Sequence, residues 1–170
     1  MKIHTNNYAE VTEILKEVSS LASKKINEIY SDDIEEFRKE DNSPVTVADI
    51  ESNRIIIDKL SKNFRNIKLI SEESNEKSLQ GEEEFFIIDP LDGTKEFIKK
   101  NGEFTVNIAL IQKTRAVLGI VELPVSFTQY YSDGYYSYKK VRNSEKIITS
   151  EKLTDYVITI CRSHQDDKTN

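Results

Sequence analysis

The chain has 170 residues, with 24 Lys+Arg against 30 Asp+Glu and a formal net charge of −6. This acidic balance excludes an overall basic footprint for a nucleic acid polymer or an anionic lipid surface. The single cysteine, Cys161, excludes an internal disulfide framework and points to a reducing compartment.

At this length one domain is expected, with at most a piece of another, and roughly 70% of the unfolded-state surface can be buried without disulfide or metal. Apolar runs are short, such as Phe85-Phe86-Ile87-Ile88, so no transmembrane segment is predicted. Met1 to Asn7 lacks the apolar stretch of a signal peptide. The expectation is a soluble, cytosolic chain. His4 and His164 beside Cys161 are too few for a zinc site of Cys and His.

Residues 8–29 predict an amphipathic helix, because Val11, Ile14, Leu15, Val18, Leu21, Ala22, Ile26 and Ile29 recur at three- and four-residue steps. Residues 30–44 are polar and acidic and end in Asn42-Ser43-Pro44, a turn signal. A second helix is predicted from Thr46, with Asp49 three residues later as a capping-box partner, through Ile50, Ile55, Ile56, Ile57 and Leu60 to about Phe64.

Strand patterns follow. Ile67 to Ser71 is short and apolar, Glu72 to Glu84 is an acidic loop, and Phe85 to Ile88 predicts a compact buried strand. Thr94 to Lys100 predicts a short helix. Phe104 to Gln112 and Ala116 to Leu123 are β-rich runs joined by Lys113-Thr114-Arg115. Phe127 to Ser132 and Tyr135 to Val141 flank Asp133-Gly134, a hairpin signal. Residues 142–154 read as polar connection, and Tyr156 to Ile160 as a further strand. Two helices followed by hairpins, without repeated βαβ units, argue for an α+β layer with an antiparallel sheet.

The informative segment is Asp89-Pro90-Leu91-Asp92-Gly93-Thr94. Two carboxylates three apart, on a chain stiffened by proline, repel unless a cation is present, and hard oxygen ligands suit Mg²⁺. Gly93 permits close backbone approach, and the N–H groups of Gly93 and Thr94 open a helix where a phosphate can sit. The plain alternative is an Asp-Gly turn closing a strand. Glu72 follows a strand and can join the carboxylates, or it is only part of a solvated acidic loop. Asp49 is either a catalytic acid or a helix cap. Tyr130, Tyr131, Tyr135, Tyr136 and Tyr138 read as cross-strand packing pairs rather than a base-stacking platform. Cys161-Arg162 lacks the glycine-rich loop of phosphate-binding thiol enzymes, and there is no Walker-type run.

Asp89 to Thr94 resembles the signature of the inositol monophosphatase superfamily of metal-dependent, lithium-sensitive phosphatases. Asp41-Asn42-Ser43-Pro44-Val45-Thr46 with Ala48-Asp49, Ser71-Glu72-Glu73, Asp92 to Phe97 and Asn101 to Leu110 resemble its bacterial 3′(2′),5′-bisphosphate nucleotidase branch. Lys95-Glu96 after the Gly-Thr favours that branch, since inositol monophosphatases more often have Thr-Asn there. The resemblance implies an α+β layered sandwich, with a helix pair packed on a largely antiparallel sheet. It implies a Mg²⁺-dependent phosphomonoesterase whose small-molecule substrate is a nucleotide bisphosphate, adenosine 3′,5′-bisphosphate, cleaved to AMP and phosphate. The alternatives are an inositol or sugar monophosphatase on the same scaffold and a non-catalytic remnant.

Carried over by residue, the resemblance makes Glu72, Asp89 and Asp92 metal-binding carboxylates, with the Leu91 carbonyl as a further ligand. Asp49 and Thr94 become the catalytic pair that orients the attacking water. Gly93 and Thr94 offer N–H groups to phosphate, and Lys39 matches a basic position near the site. Family members continue into a second α/β domain with a Trp-Asp-x-Ala motif, and this chain contains no Trp. The expectation is an N-terminal phosphatase domain over 1–152 and the start of a truncated C-terminal domain over 153–170. Such a chain is expected to be impaired alone, and to self-associate or pair with a separate C-terminal half. The implied location is cytoplasmic, free or peripheral at the inner face of the membrane.

Overall fold

The chain is described by a computed structural model over residues 3–32, 36–39, 44–74 and 83–149. Helix α1 (Tyr8–Tyr30) forms where the three- and four-residue apolar stripe predicts it, and Val11, Leu15, Val18, Ala22 and Ile26 on that stripe are buried. A two-stranded antiparallel ribbon, β1 (Glu36–Arg38) and β2 (Pro44–Thr46), leads into α2 (Val47–Asn63). The capping box predicted there forms: Thr46 Oγ1 accepts from the Ala48 N–H at 3.2 Å, and Asp49 Oδ2 accepts from the Thr46 N–H at 2.7 Å.

Seven strands follow in one sheet, in sequence order: β3 (Lys68–Ser71), β4 (Glu84–Asp92), β5 (Thr105–Gln112), β6 (Arg115–Leu123), β7 (Thr128–Ser132), β8 (Ser137–Val141) and β9 (Ser144–Ile148). β3 pairs parallel with β4, and each later pair is antiparallel. A short helix, α3 (Thr94–Ile98), lies between β4 and β5.

Both long helices cover one face of this sheet, α1 over β5 to β7 and α2 over β3 and β4. Phe86, Ile88, Val106, Ile108, Leu110, Leu118 and Ile120 point into that layer and are buried. Each such side chain contributes about 1.5–3 kcal/mol. Along β4 and its neighbours the opposite face carries Ile87, Ala109, Val121 and Tyr130, which border an open groove of about 720 Å³.

The one-sided burial corrects one expectation. Phe85 to Ile88 is not buried throughout: the strand is longer, and Ile87 is 48% exposed because alternate side chains face away from the helices. β1 and β9 lie in stretches read as polar, and β2 takes in the turn residue Pro44 and the predicted helix start Thr46, which is instead the cap of α2. The side chains of β9 are mostly exposed, and the strand is held by its ladder to β8. The Asp133-Gly134 hairpin forms with Tyr135 and Tyr136 in its loop, held by their N–H groups on Asp133 Oδ1 at 2.8 Å each. Tyr131 and Tyr138 face each other across β7 and β8 and stack at 4.9 Å, the cross-strand pairing expected of them. The predicted strand Tyr156 to Ile160, Cys161-Arg162 and the segment 153–170 lie outside the described residues.

Candidate active site

Strand β4 leaves its register with β5 between Asp89 and Asp92. Pro90 has no N–H for a ladder, so the break falls where the sequence cannot continue one. Gly93 then turns the chain at φ 95°, and a Cβ there would lie 2.9 Å from the Glu103 carbonyl oxygen. Only glycine satisfies both conditions without strain. Thr94 follows as the first residue of α3.

Thr94 Oγ1 donates to Asp49 Oδ1 at 3.0 Å, joining the start of α3 to the start of α2. The other oxygen of Asp49 accepts from the Thr46 N–H and from Thr46 Oγ1 at 2.6 Å. Capping and the Thr94 contact are therefore not alternatives; one carboxylate makes both. Asp49 is almost wholly buried, and burial raises its pKa above the ordinary value against the hydrogen bonds from Thr46 and Thr94 that lower it.

Asp89 sits between Glu72 and Asp92. Burial, the charges of Glu72 and Asp92, and a hydrogen bond shared with Glu72 push its carboxyl up to about 7. Two carboxyls close enough to share a proton are a place where a cation relieves repulsion. Glu72 is held by its N–H on the Ile88 carbonyl at 3.0 Å, while its carboxylate meets Lys39 Nζ at 3.3 Å. Lys39, at the end of β1, also contacts Glu73 at 2.5 Å. Partial burial lowers the Lys39 pKa, but Glu73 and Glu72 outweigh it and hold the ammonium above its usual range. Among the described residues no three Asp, Glu, His or Cys side chains converge as a ready-made metal cage. Glu72 and Asp89 nevertheless both line the open groove, and Asp92 lies near enough to Asp89 for its charge to raise the Asp89 pKa.

Several contacts here were not foreseen from the sequence. Asn107, the cross-strand partner of Asp89, donates from Nδ2 to Asp92 Oδ2 at 3.2 Å, and its own Oδ1 is buried without a partner. An Asn inside the apolar run Val106 to Leu110 was the available signal. Ser52 and Asn53, three and four residues after Asp49, donate to and accept from other site segments. The i+3 and i+4 spacing was legible, but its partners were not.

A layered α+β fold, in which a strand delivers an acid pair and a Gly-Thr helix start beside a buried helix-capping Asp, is that of the inositol monophosphatase family, and the chain belongs to that family. The family profile described as Inositol monophosphatase family matches residues 7–170. The chain is 42% identical over 137 residues to the 3′(2′),5′-bisphosphate nucleotidase CysQ of Salmonella typhimurium, covering 79% of this chain and 56% of that protein. For the protein of the same name from Escherichia coli K12 the identity is 41% over 130 residues, 75% of this chain and 53% of that one. The crystal structure of CysQ from Bacteroides thetaiotaomicron matches with a TM-score of 0.75 at 32% identity, covering 94% of this chain and 65% of that one. The chain thus spans about half the length of the curated relatives it matches.

Proposed function

We propose that this chain supplies the N-terminal catalytic half of a Mg²⁺-dependent phosphomonoesterase, cytoplasmic in location, acting on a 3′(2′),5′-bisphosphate nucleotide, with adenosine 3′,5′-bisphosphate as the substrate. The observation that carries the reading is the Thr94–Asp49 hydrogen bond at 3.0 Å beside the crowded acids Glu72, Asp89 and Asp92. The bisphosphate nucleotide is favoured by the 42% identity to a protein of that activity by name.

The donor set fits Mg²⁺. Asp89 is held near 7 by burial and by like charges, so the pocket is strained toward accepting positive charge. Glu72, Asp89, Asp92 and the Leu91 carbonyl are all hard oxygens. When bound there, a divalent cation supplies Lewis-acid stabilisation of phosphoryl charge and lowers the pKa of water. The chain's own residues then do the following. Thr94 Oγ1 donates its hydrogen bond to Asp49, which leaves its lone pairs to accept from the attacking water and orient it. Asp49, with a raised pKa, is better matched than an ordinary carboxylate to receive a proton near neutral pH. The N–H groups of Gly93 and Thr94 offer hydrogen bonds to the phosphate. Lys39 neutralises Glu72 and Glu73 until the site is filled, and is then free to meet the phosphate.

The test is phosphate release from adenosine 3′,5′-bisphosphate and from inositol 1-phosphate by the whole protein that carries this chain, with Mg²⁺ and with EDTA. A much higher kcat/KM for the nucleotide, lost with EDTA and in Asp92→Asn, is expected. Preference for inositol 1-phosphate would move the assignment within the family. No Mg²⁺-dependent release from either would make the chain a non-catalytic remnant.

A further inference from the structure

Three segments far apart in sequence meet one face of α2. Asp49 Oδ1 accepts from Thr94 Oγ1 at 3.0 Å. Ser52 Oγ, fully buried, donates to the Pro90 carbonyl oxygen at 3.1 Å, a bond it shares with the Asp49 carbonyl in its own helix. Asn53 Oδ1 accepts from Ser71 Oγ at 2.7 Å. Residues i, i+3 and i+4 share a face on a helix, so these contacts lie side by side on the first turns of α2.

What each contact fixes is specific. The Pro90 carbonyl belongs to the peptide unit just before Leu91, where β4 breaks register, so holding it sets the direction in which the Leu91 carbonyl and Asp92 emerge. Ser71 Oγ also accepts from the Glu73 N–H at 3.3 Å, so Asn53, through Ser71, anchors the turn that presents Glu72. Ser74 N–H on the Ser71 carbonyl at 3.1 Å closes the same turn. The helix is one rigid body with a rise of about 1.5 Å per residue, so the relative position of the three segments is set by it rather than by loop geometry.

We propose that Ser52 and Asn53 are positioning residues, which dock the Asp89–Asp92 bend and the Glu72 turn on α2 and so set the spacing of the cation-binding oxygens. This rests on the functional reading above. Partners that orient ligating groups are worth about 10–100-fold in metal affinity. The side-chain bonds of Ser52 and Asn53 go to Pro90, to the Asp49 carbonyl and to Ser71, none of them a reacting atom.

The experiment is Mn²⁺ binding to the protein, followed by the electron paramagnetic resonance of free Mn²⁺, with thermal unfolding measured in EDTA on the same samples. Ser52→Ala and Asn53→Ala are each expected to weaken Mn²⁺ binding about 10-fold or more, with the protein still folding cooperatively at an unfolding temperature lowered only by the loss of a single hydrogen bond. Arg54→Ala, on the exposed side of α2, should bind as wild type. Asn53→Ala combined with Ser71→Ala should bind no more weakly than Ser71→Ala alone, since Ser71→Ala already removes the Asn53 contact together with the Glu73 one. Wild-type affinity in Ser52→Ala and Asn53→Ala, alongside lost binding in Asp89→Asn, would overturn the positioning role and leave the functional reading standing. A wild-type protein that binds no Mn²⁺ would overturn the functional reading itself, and the positioning role with it.

Discussion

Asp89→Asn isolates the charge conflict at the centre of the site. In the folded chain without metal, burial, Glu72 and Asp92 hold the Asp89 carboxyl near 7, against 3.8 for an ordinary aspartate. The folded state therefore binds an extra proton between those values, and stability falls as pH rises through that window. At ~1.4 kcal/mol per pH unit, the roughly two units of that window above about pH 5 set a ceiling of about 3 kcal/mol. Asp89 is partly open to water, and screening brings the expected loss to about 2 kcal/mol. Urea unfolding in EDTA should thus give a wild type less stable at about pH 8 than at about pH 5, by about that amount more than the variant changes. Asp89→Asn should be the more stable protein at the higher pH. Millimolar Mg²⁺ should then stabilise the wild type and leave the variant unmoved, since only a folded-state ligand shifts the balance. Equal pH slopes in the two proteins, or a variant destabilised at both ends, would refute the reasoning and return Asp89 to a turn-former.

Thr94→Ala should lower turnover about 10²-fold or more with little change in divalent affinity, because it removes the water-orienting hydroxyl and no cation ligand; a loss confined to Mn²⁺ binding would reassign the residue. Gly93→Ala should cost about 1–3 kcal/mol by thermal unfolding, since alanine is strained at φ 95° and its Cβ meets the Glu103 carbonyl; an unchanged melting temperature would contradict that packing. Glu122 is buried on the helix-covered face of the sheet and accepts from Ser19 Oγ at 2.6 Å and Gln129 Nε2 at 2.8 Å, tying α1 to β6 and β7. Glu122→Ala should destabilise by about 1–2 kcal/mol in urea, because it removes a buried acceptor while Ser19 and Gln129 keep the Lys16 carbonyl, with Mn²⁺ affinity untouched; a loss below about 0.5 kcal/mol would mean that this carbonyl satisfies both donors.

Local pattern was enough for whatever depends on residues close in the chain. The stripe from Val11 to Ile26 specifies α1, Thr46 and Asp49 specify the start of α2, and the alternation from Thr105 to Leu123 specifies a hairpin, because each is read within a few residues. The Asp89-Pro90-Leu91-Asp92-Gly93-Thr94 run likewise carries its own turn chemistry, and Gly93 takes the left-handed conformation that its position in the motif suggests.

What the sequence left open is what long-range pairing decides. That Ile87 faces outward while Phe86 and Ile88 face inward follows from helices covering only one side of the sheet, and four apolar residues in a row cannot announce it. β9 is polar, and it is a strand because β8 offers it a ladder. Asp49 could be read as cap or as functional acid; the fold brings Thr94, 45 residues away, to its second oxygen. Lys39 reaches Glu72 across 33 residues, and Ser52 reaches Pro90 across 38. Such contacts depend on register and on the packing of α2 against β4, so the residue types were legible one by one, while the site they form exists only once the sheet and helix have met.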